Sequence, residues 1–175
     1  MDRFVILSGC SGGGKSTLLE ELGRRGFSRV EEPGRRIVTE EMVSGGLALP
    51  WNDMAAFARR AVALSLEDRQ SAPAEGRVFF DRGLVDAASA LHHAAGDTFI
   101  DTLQREHRYN RLVFITPPWP EIYRSDSERQ HDLDTAMDEY ERLLRDYARL
   151  DYETIVLPKI DVQERADVVL RSLTS

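Results

Sequence analysis

Apolar residues in this chain fall into five short runs, separated by stretches in which they recur every three or four positions. Phe4-Val5-Ile6-Leu7, Phe27-Ser28-Arg29-Val30-Glu31, Arg77-Val78-Phe79-Phe80-Asp81, Leu112-Val113-Phe114-Ile115 and Thr154-Ile155-Val156-Leu157 read as strands. The third is mostly apolar, which predicts a central strand buried on both faces. Leu18, Leu19 and Leu22 predict a helix from about Ser16 to Arg25, stopped by Gly26. After the turn signal Glu32-Pro33-Gly34, a helix from Arg35 to about Val43 is broken by Gly45-Gly46. Met54, Phe57, Ala58, Ala61 and Leu64 mark one amphipathic helix to about Gln70, capped by Asn52 or Asp53 and closed by Ala72-Pro73.

The second half repeats this alternation. Helices are expected from Val85 to Ala94 and from Asp97 to His107, the latter with Phe99, Ile100 and Leu103 facing inward. A long helix from His131 to Leu150 carries Leu133, Met137, Tyr140, Leu144 and Tyr147 on one stripe. Asp161 and Glu164 have capping-box spacing for a last helix with Ala166, Val169, Leu170 and Leu173 inside. Five strands alternating with helices predict an α/β fold: a parallel sheet covered on both faces. The 175 residues fit one domain, 1–175.

Composition narrows the function classes. Hydrophobic content of 42% and charged content of 30% are those of an ordinary globular protein; no stretch approaches the length of a transmembrane span, and the first residues do not read as a signal peptide. The net charge of −7 disfavours a nucleic-acid surface, which needs a positive field. The single cysteine, Cys10, excludes an internal disulfide and points to a reducing, cytoplasmic compartment.

The strongest chemical signal lies between the first strand and the first helix. Gly9-Cys10-Ser11-Gly12-Gly13-Gly14-Lys15-Ser16, followed by Thr17, is a P-loop pattern that average residue usage produces in fewer than roughly one chain in a hundred of this length. Its glycines let successive N–H groups curl around phosphate oxygens, and the following helix N-terminus adds to the attraction. Lys15 reaches for the β- and γ-phosphates, and the Ser16 hydroxyl suits Mg²⁺. ATP with Mg²⁺ is the expected ligand.

Three charged clusters fall where strands should end on the P-loop side of the sheet. Glu32, before Pro33, can accept the proton of an attacking hydroxyl or hold a substrate polar group; Glu31 points to the opposite side of its strand. Asp81, ending the third strand, is placed to ligate Mg²⁺ directly or through water, and Arg82 to contact a phosphate or substrate. Arg124 and Arg129 lie in a polar segment suited to closing over a triphosphate, a lid at about 120–131. Trp51 and Phe57 either line an acceptor pocket or pack in the core; Asp86 either faces that pocket or complements a helix N-terminus.

These motifs together resemble the nucleoside and nucleotide kinases among P-loop proteins. Phe80-Asp81-Arg82-Gly83, Pro117-Pro118-Trp119 and Ile122-Tyr123-Arg124 resemble, more narrowly, the AAA_28-type domain related to ribosylnicotinamide kinases. The resemblance implies a three-layer fold with strand order 2-3-1-4-5 and Mg-ATP as donor. It implies that Glu32 is a substrate-side carboxylate or base, Asp81 a magnesium-side acid, and Arg124 and Arg129 lid residues. It also implies that Pro158 and Lys159 border the adenine. The expected activity is a kinase acting on a small acceptor, nucleoside-like or another hydroxyl-bearing metabolite. The alternative is a nucleotide-hydrolysing switch acting on a protein partner.

Overall fold

The computed structural model describes residues 3–119 and 133–174. Five strands form one parallel sheet: β1 (Phe4–Gly9), β2 (Ser28–Val30), β3 (Val78–Asp81), β4 (Leu112–Thr116) and β5 (Glu153–Val156), in the order β2-β3-β1-β4-β5. The helices are α1 (Lys15–Arg24), α2 (Pro33–Ser44), α3 (Met54–Ser71), α4 (Leu84–Ala95), α5 (Phe99–Thr102), α6 (Leu133–Arg149) and α7 (Val162–Ser172).

The two-residue period of the strands sorts the core into two layers. Val5, Leu7, Phe79 and Phe114 face α1 and α7, meeting Leu18, Leu22, Ala166 and Val169. Phe4, Ile6, Val78, Phe80, Val113 and Ile115 face α4 and α6, meeting Leu84, Ala88, Leu143 and Tyr147. Both faces of the central strands are therefore dry: β1 and β3 are buried along their whole length and apolar up to Ser8 and Asp81. Ile37, Ala61 and Ala87 pack α2 and α3 against α4. Register sets the functional edge: Leu7 is opposite Asp81 and Gly9 opposite Thr116, so the P-loop, Asp81 and the end of β4 share one rim.

Three local expectations are corrected. Glu32-Pro33-Gly34 is the start of α2 rather than a free turn, because Pro33 at the first helical turn lacks an N–H that would go unpaired there anyway. The helix expected over Asp97–His107 is a single turn. Gln104 to Arg108 offer no apolar face, and His107 leaves helical geometry with φ 52°. In α6 the buried positions are Ala136, Leu143 and Tyr147, whereas Met137 is 42% exposed. Close approach to the P-loop selects the small Ala136, whose carbonyl accepts from Cys10 Sγ, and the next side chain then lies about 100° around the helix.

Candidate active site

The loop between β1 and α1 is shaped by close backbone approach. Gly9 has φ 109°, and a Cβ there would lie 2.3 Å from the Thr116 carbonyl oxygen; one on Gly13 would lie 2.7 Å from Thr116 Oγ1. Side chains at these positions would collide with the end of β4 and displace the loop. Gly14, left-handed at φ 81°, opens α1. Cys10 and Ser11 are buried, while Thr17 is exposed on the first turn of α1.

Lys15 is only 4% exposed and folds back on the loop, its Nζ donating to the carbonyls of Cys10 at 2.8 Å and Gly9 at 3.4 Å. Burial, with Arg82 nearby, lowers the Lys15 pKa below its ordinary value; Asp81, Glu32 and Glu139 oppose the shift. Ser16 Oγ donates to Asp81 Oδ2 at 2.8 Å. Asp81 Oδ1 is buried and has no hydrogen-bond partner among the described residues. A hydroxyl beside an orphaned carboxylate oxygen, both hard donors, fits Mg²⁺, which keeps several waters and takes few protein ligands.

Burial, and then the charge of Glu32, push the Asp81 carboxyl above its usual range, so the ionised form is carried at a cost. A raised folded-state pKa favours folding at low pH, and that advantage is lost as pH rises through it. Asp81→Asn should therefore raise the melting temperature of the ligand-free protein at neutral pH. The gain should shrink in acid, while Mg²⁺-dependent nucleotide binding weakens. Calorimetric unfolding and Mg²⁺ titration check both halves; an unchanged Mg²⁺ requirement removes Asp81 from the metal site.

Arg82 holds a left-handed backbone, φ 63°, with its N–H on Leu7 O at 2.8 Å. Its guanidinium meets three carboxylates: Glu139 at 2.9 and 3.2 Å, Glu32 at 3.2 Å and Asp86 at 3.7 Å. Burial opposes its charge, but these neighbours raise its pKa overall. Burial alone would raise Glu139 too; Arg82, Lys15 and Arg142 outweigh it and hold its carboxyl below the usual range. Asp86 also accepts from Gly83 N, Ser8 Oγ and Tyr147 Oη, tying β1, the start of α4 and α6 together.

Beside this cluster lies a cavity of about 510 Å³. Ser11 of the P-loop, Glu32, Arg82 and Glu139 form its polar wall; Val38, Met54, Phe57, Ala61 and Ala87 supply an apolar one. Phe57 thus lines the cavity, whereas Trp51 does not and is 41% exposed. Glu31 is exposed. Pro158 and Lys159 are exposed just beyond β5, on the P-loop rim, where Arg165 of α7 donates to Gly13 O at 3.2 Å. Arg124, Arg129 and the whole of the proposed lid, 120–131, lie outside the described residues.

Sequence reasoning missed Glu139 and Arg142 on α6, which looked like ordinary solvent-facing charges. Their only signal was membership of a helix that follows the arginine segment.

The sequence profile of the AAA_28 family, an AAA domain, matches residues 4–165. The chain belongs to the AAA_28 family. No curated protein sequence matches this AAA_28 domain. Its fold is shared with the NadR protein in complex with NR (TM-score 0.74, 17% identity), covering 99% of this chain and 52% of that one. It is shared with shikimate kinase from Acinetobacter baumannii in complex with shikimate (0.62, 16%), covering 99% and 94%. Deoxyadenosine kinase from M. mycoides with bound dATP is similar over 99% of this chain and 100% of that one (0.58, 17%). At such identities the likeness establishes the fold, that of P-loop kinases. No helix among the described residues is long and apolar enough to cross a membrane.

Proposed function

We propose that this AAA_28 chain is an ATP-dependent phosphotransferase acting on a small hydroxyl-bearing acceptor, nucleoside-like in size and shape. The observation that carries the reading is the cavity that runs from P-loop residue Ser11 to Glu32 and Arg82 over an apolar wall containing Phe57. A nucleotide-driven switch has no need of such an acceptor-sized cavity. The solved kinases that share the fold, for deoxyadenosine and shikimate, support the same reading.

The P-loop from Gly9 to Thr17 and Lys15 hold the triphosphate, and Lys15 leaves the Cys10 carbonyl to do so. Ser16 and Asp81 hold Mg²⁺, which when bound neutralises charge on the phosphate oxygens. Glu32 accepts the acceptor's hydroxyl proton as that oxygen bonds to the γ-phosphorus and the bond to the β–γ bridging oxygen breaks, releasing ADP. Arg82, already engaged by carboxylates, orients Glu32 and supplies positive charge beside the reacting group. Arg124 and Arg129 close over the phosphates, and Pro158 and Lys159 flank the adenine. The acceptor enters by the cavity.

The test is ATP consumption against a panel of deoxynucleosides, ribonucleosides and shikimate, with products identified by mass spectrometry. Slow basal turnover that rises sharply with one acceptor, together with its phosphorylated product, is expected. Turnover that no small molecule stimulates, but a protein partner does, would overturn the proposal in favour of the switch.

A further inference from the structure

The carboxylates nearest the reaction centre are already engaged by one guanidinium. Glu32, Asp86 and Glu139 all lie within 3.7 Å of Arg82. Arg142 lines the same cavity one turn along α6 from Glu139, in the opposite condition. Among the described residues its one hydrogen bond runs from Nη1 to Ser89 Oγ at 2.8 Å, and no carboxylate is within ion-pair distance. The Ser89 hydroxyl donates in turn to Asp146, so the guanidinium is anchored through a hydroxyl rather than a paired anion. Burial lowers the Arg142 pKa, and Glu139, Asp146 and Asp86 offset this only in part, with Arg82 adding to it.

We propose that the cavity selects an acceptor that carries an anionic group, a carboxylate or a phosphate, bound by Arg142. The proposal rests on this cavity being the acceptor site. A planar guanidinium matches both anions in bidentate geometry, and either would supply the direct ion-pair contact that no described carboxylate makes with Arg142. Arg35 and Arg145 line the cavity as well and add positive potential. The lining acids Asp138 and Glu141 are exposed, so solvent screens them; Glu141 also sits 3.8 Å from Arg145. The acceptor is then a bifunctional molecule, its hydroxyl at Glu32 and its anion at Arg142.

The experiment is calorimetric titration with Mg²⁺ and a non-hydrolysable ATP analogue saturating the P-loop, so that added anions cannot compete there. Matched pairs are compared: shikimate against its methyl ester, and deoxyadenosine 5′-monophosphate against deoxyadenosine. The charged member of at least one pair should bind roughly 10- to 100-fold more tightly, the worth of a charge-assisted hydrogen-bonded pair. Arg142→Gln should abolish that preference and Arg142→Lys should narrow it. If the glutamine variant does not fold, the lysine variant carries the test by itself. Equal affinities in every pair, or a preference that survives substitution of Arg142, would overturn the inference. A charge preference in this titration, with no phosphorylated product when the same pairs are incubated with ATP, would keep the inference and sink the phosphotransferase reading; product from neutral members alone in that ATP assay would do the reverse.

Discussion

Lys15→Met should weaken Mg-ATP binding and lower kcat/KM by roughly a thousandfold, the upper range for removing one preorganised donor to a transition-state anion. The side chain is buried beside the cradle formed by Gly9 to Gly14, where a cation acts in a low-dielectric setting. Methionine keeps its length and apolar stem while removing the charge. The fold should survive the change, because burial already penalises the ammonium group and Cys10 O keeps the Gly13 N–H at 3.2 Å. A melting temperature near wild type together with lost calorimetric binding is the expected pair of results. Near-normal affinity in a folded Lys15→Met variant would show that the loop does not grip the phosphates.

Glu32→Gln should reduce kcat for acceptor phosphorylation by roughly 10² to 10⁴, the usual contribution of a positioned general base. Glutamine retains a carbonyl oxygen opposite Arg82 Nε, where Glu32 Oε1 now sits at 3.2 Å, so the contact can be kept while the negative charge and the basicity are lost. KM for the acceptor should therefore change far less than kcat. Steady-state kinetics on the acceptor found in the screen measures the split. A fall in affinity with kcat intact would recast Glu32 as a binding group, and no change in either would take it out of the site.

Much of the fold and part of the site are legible in the order of the residues. The apolar runs at Phe4–Leu7 and Val78–Phe80 have to be strands covered on both faces, since no one-sided sheet leaves them dry. The P-loop is a local object: its glycines, Lys15 and Ser16 are contiguous, and the backbone conformation that gives them meaning spans a few residues. Asp81 is legible because a carboxylate ending a buried strand must lie on the sheet's C-terminal rim. The stripe on α6 reads one position off, at Met137, because its buried face is chosen by neighbours far away in sequence: Cys10 against Ala136, and Asp86 under Tyr147. Glu139 and Arg142 are invisible for the same cause. On a polar helix face, nothing in composition separates a charge facing water from one facing a cavity.

Sequence by itself determined the class of sheet, the phosphate-binding loop and the carboxylates at the strand ends, because each follows from periodicity or chemistry within a dozen residues. Tertiary structure alone decided that three carboxylates converge on Arg82, that a cavity with one apolar wall opens beside them, and that Arg142 reaches it with no carboxylate of the described residues in ion-pair contact. Apart from Asp86, four residues from Arg82, those relations join residues separated by fifty positions or more, through packing of α2, α4 and α6 around one sheet edge. Coulombic and desolvation energies depend on distance and burial, and neither is written in the order of the residues.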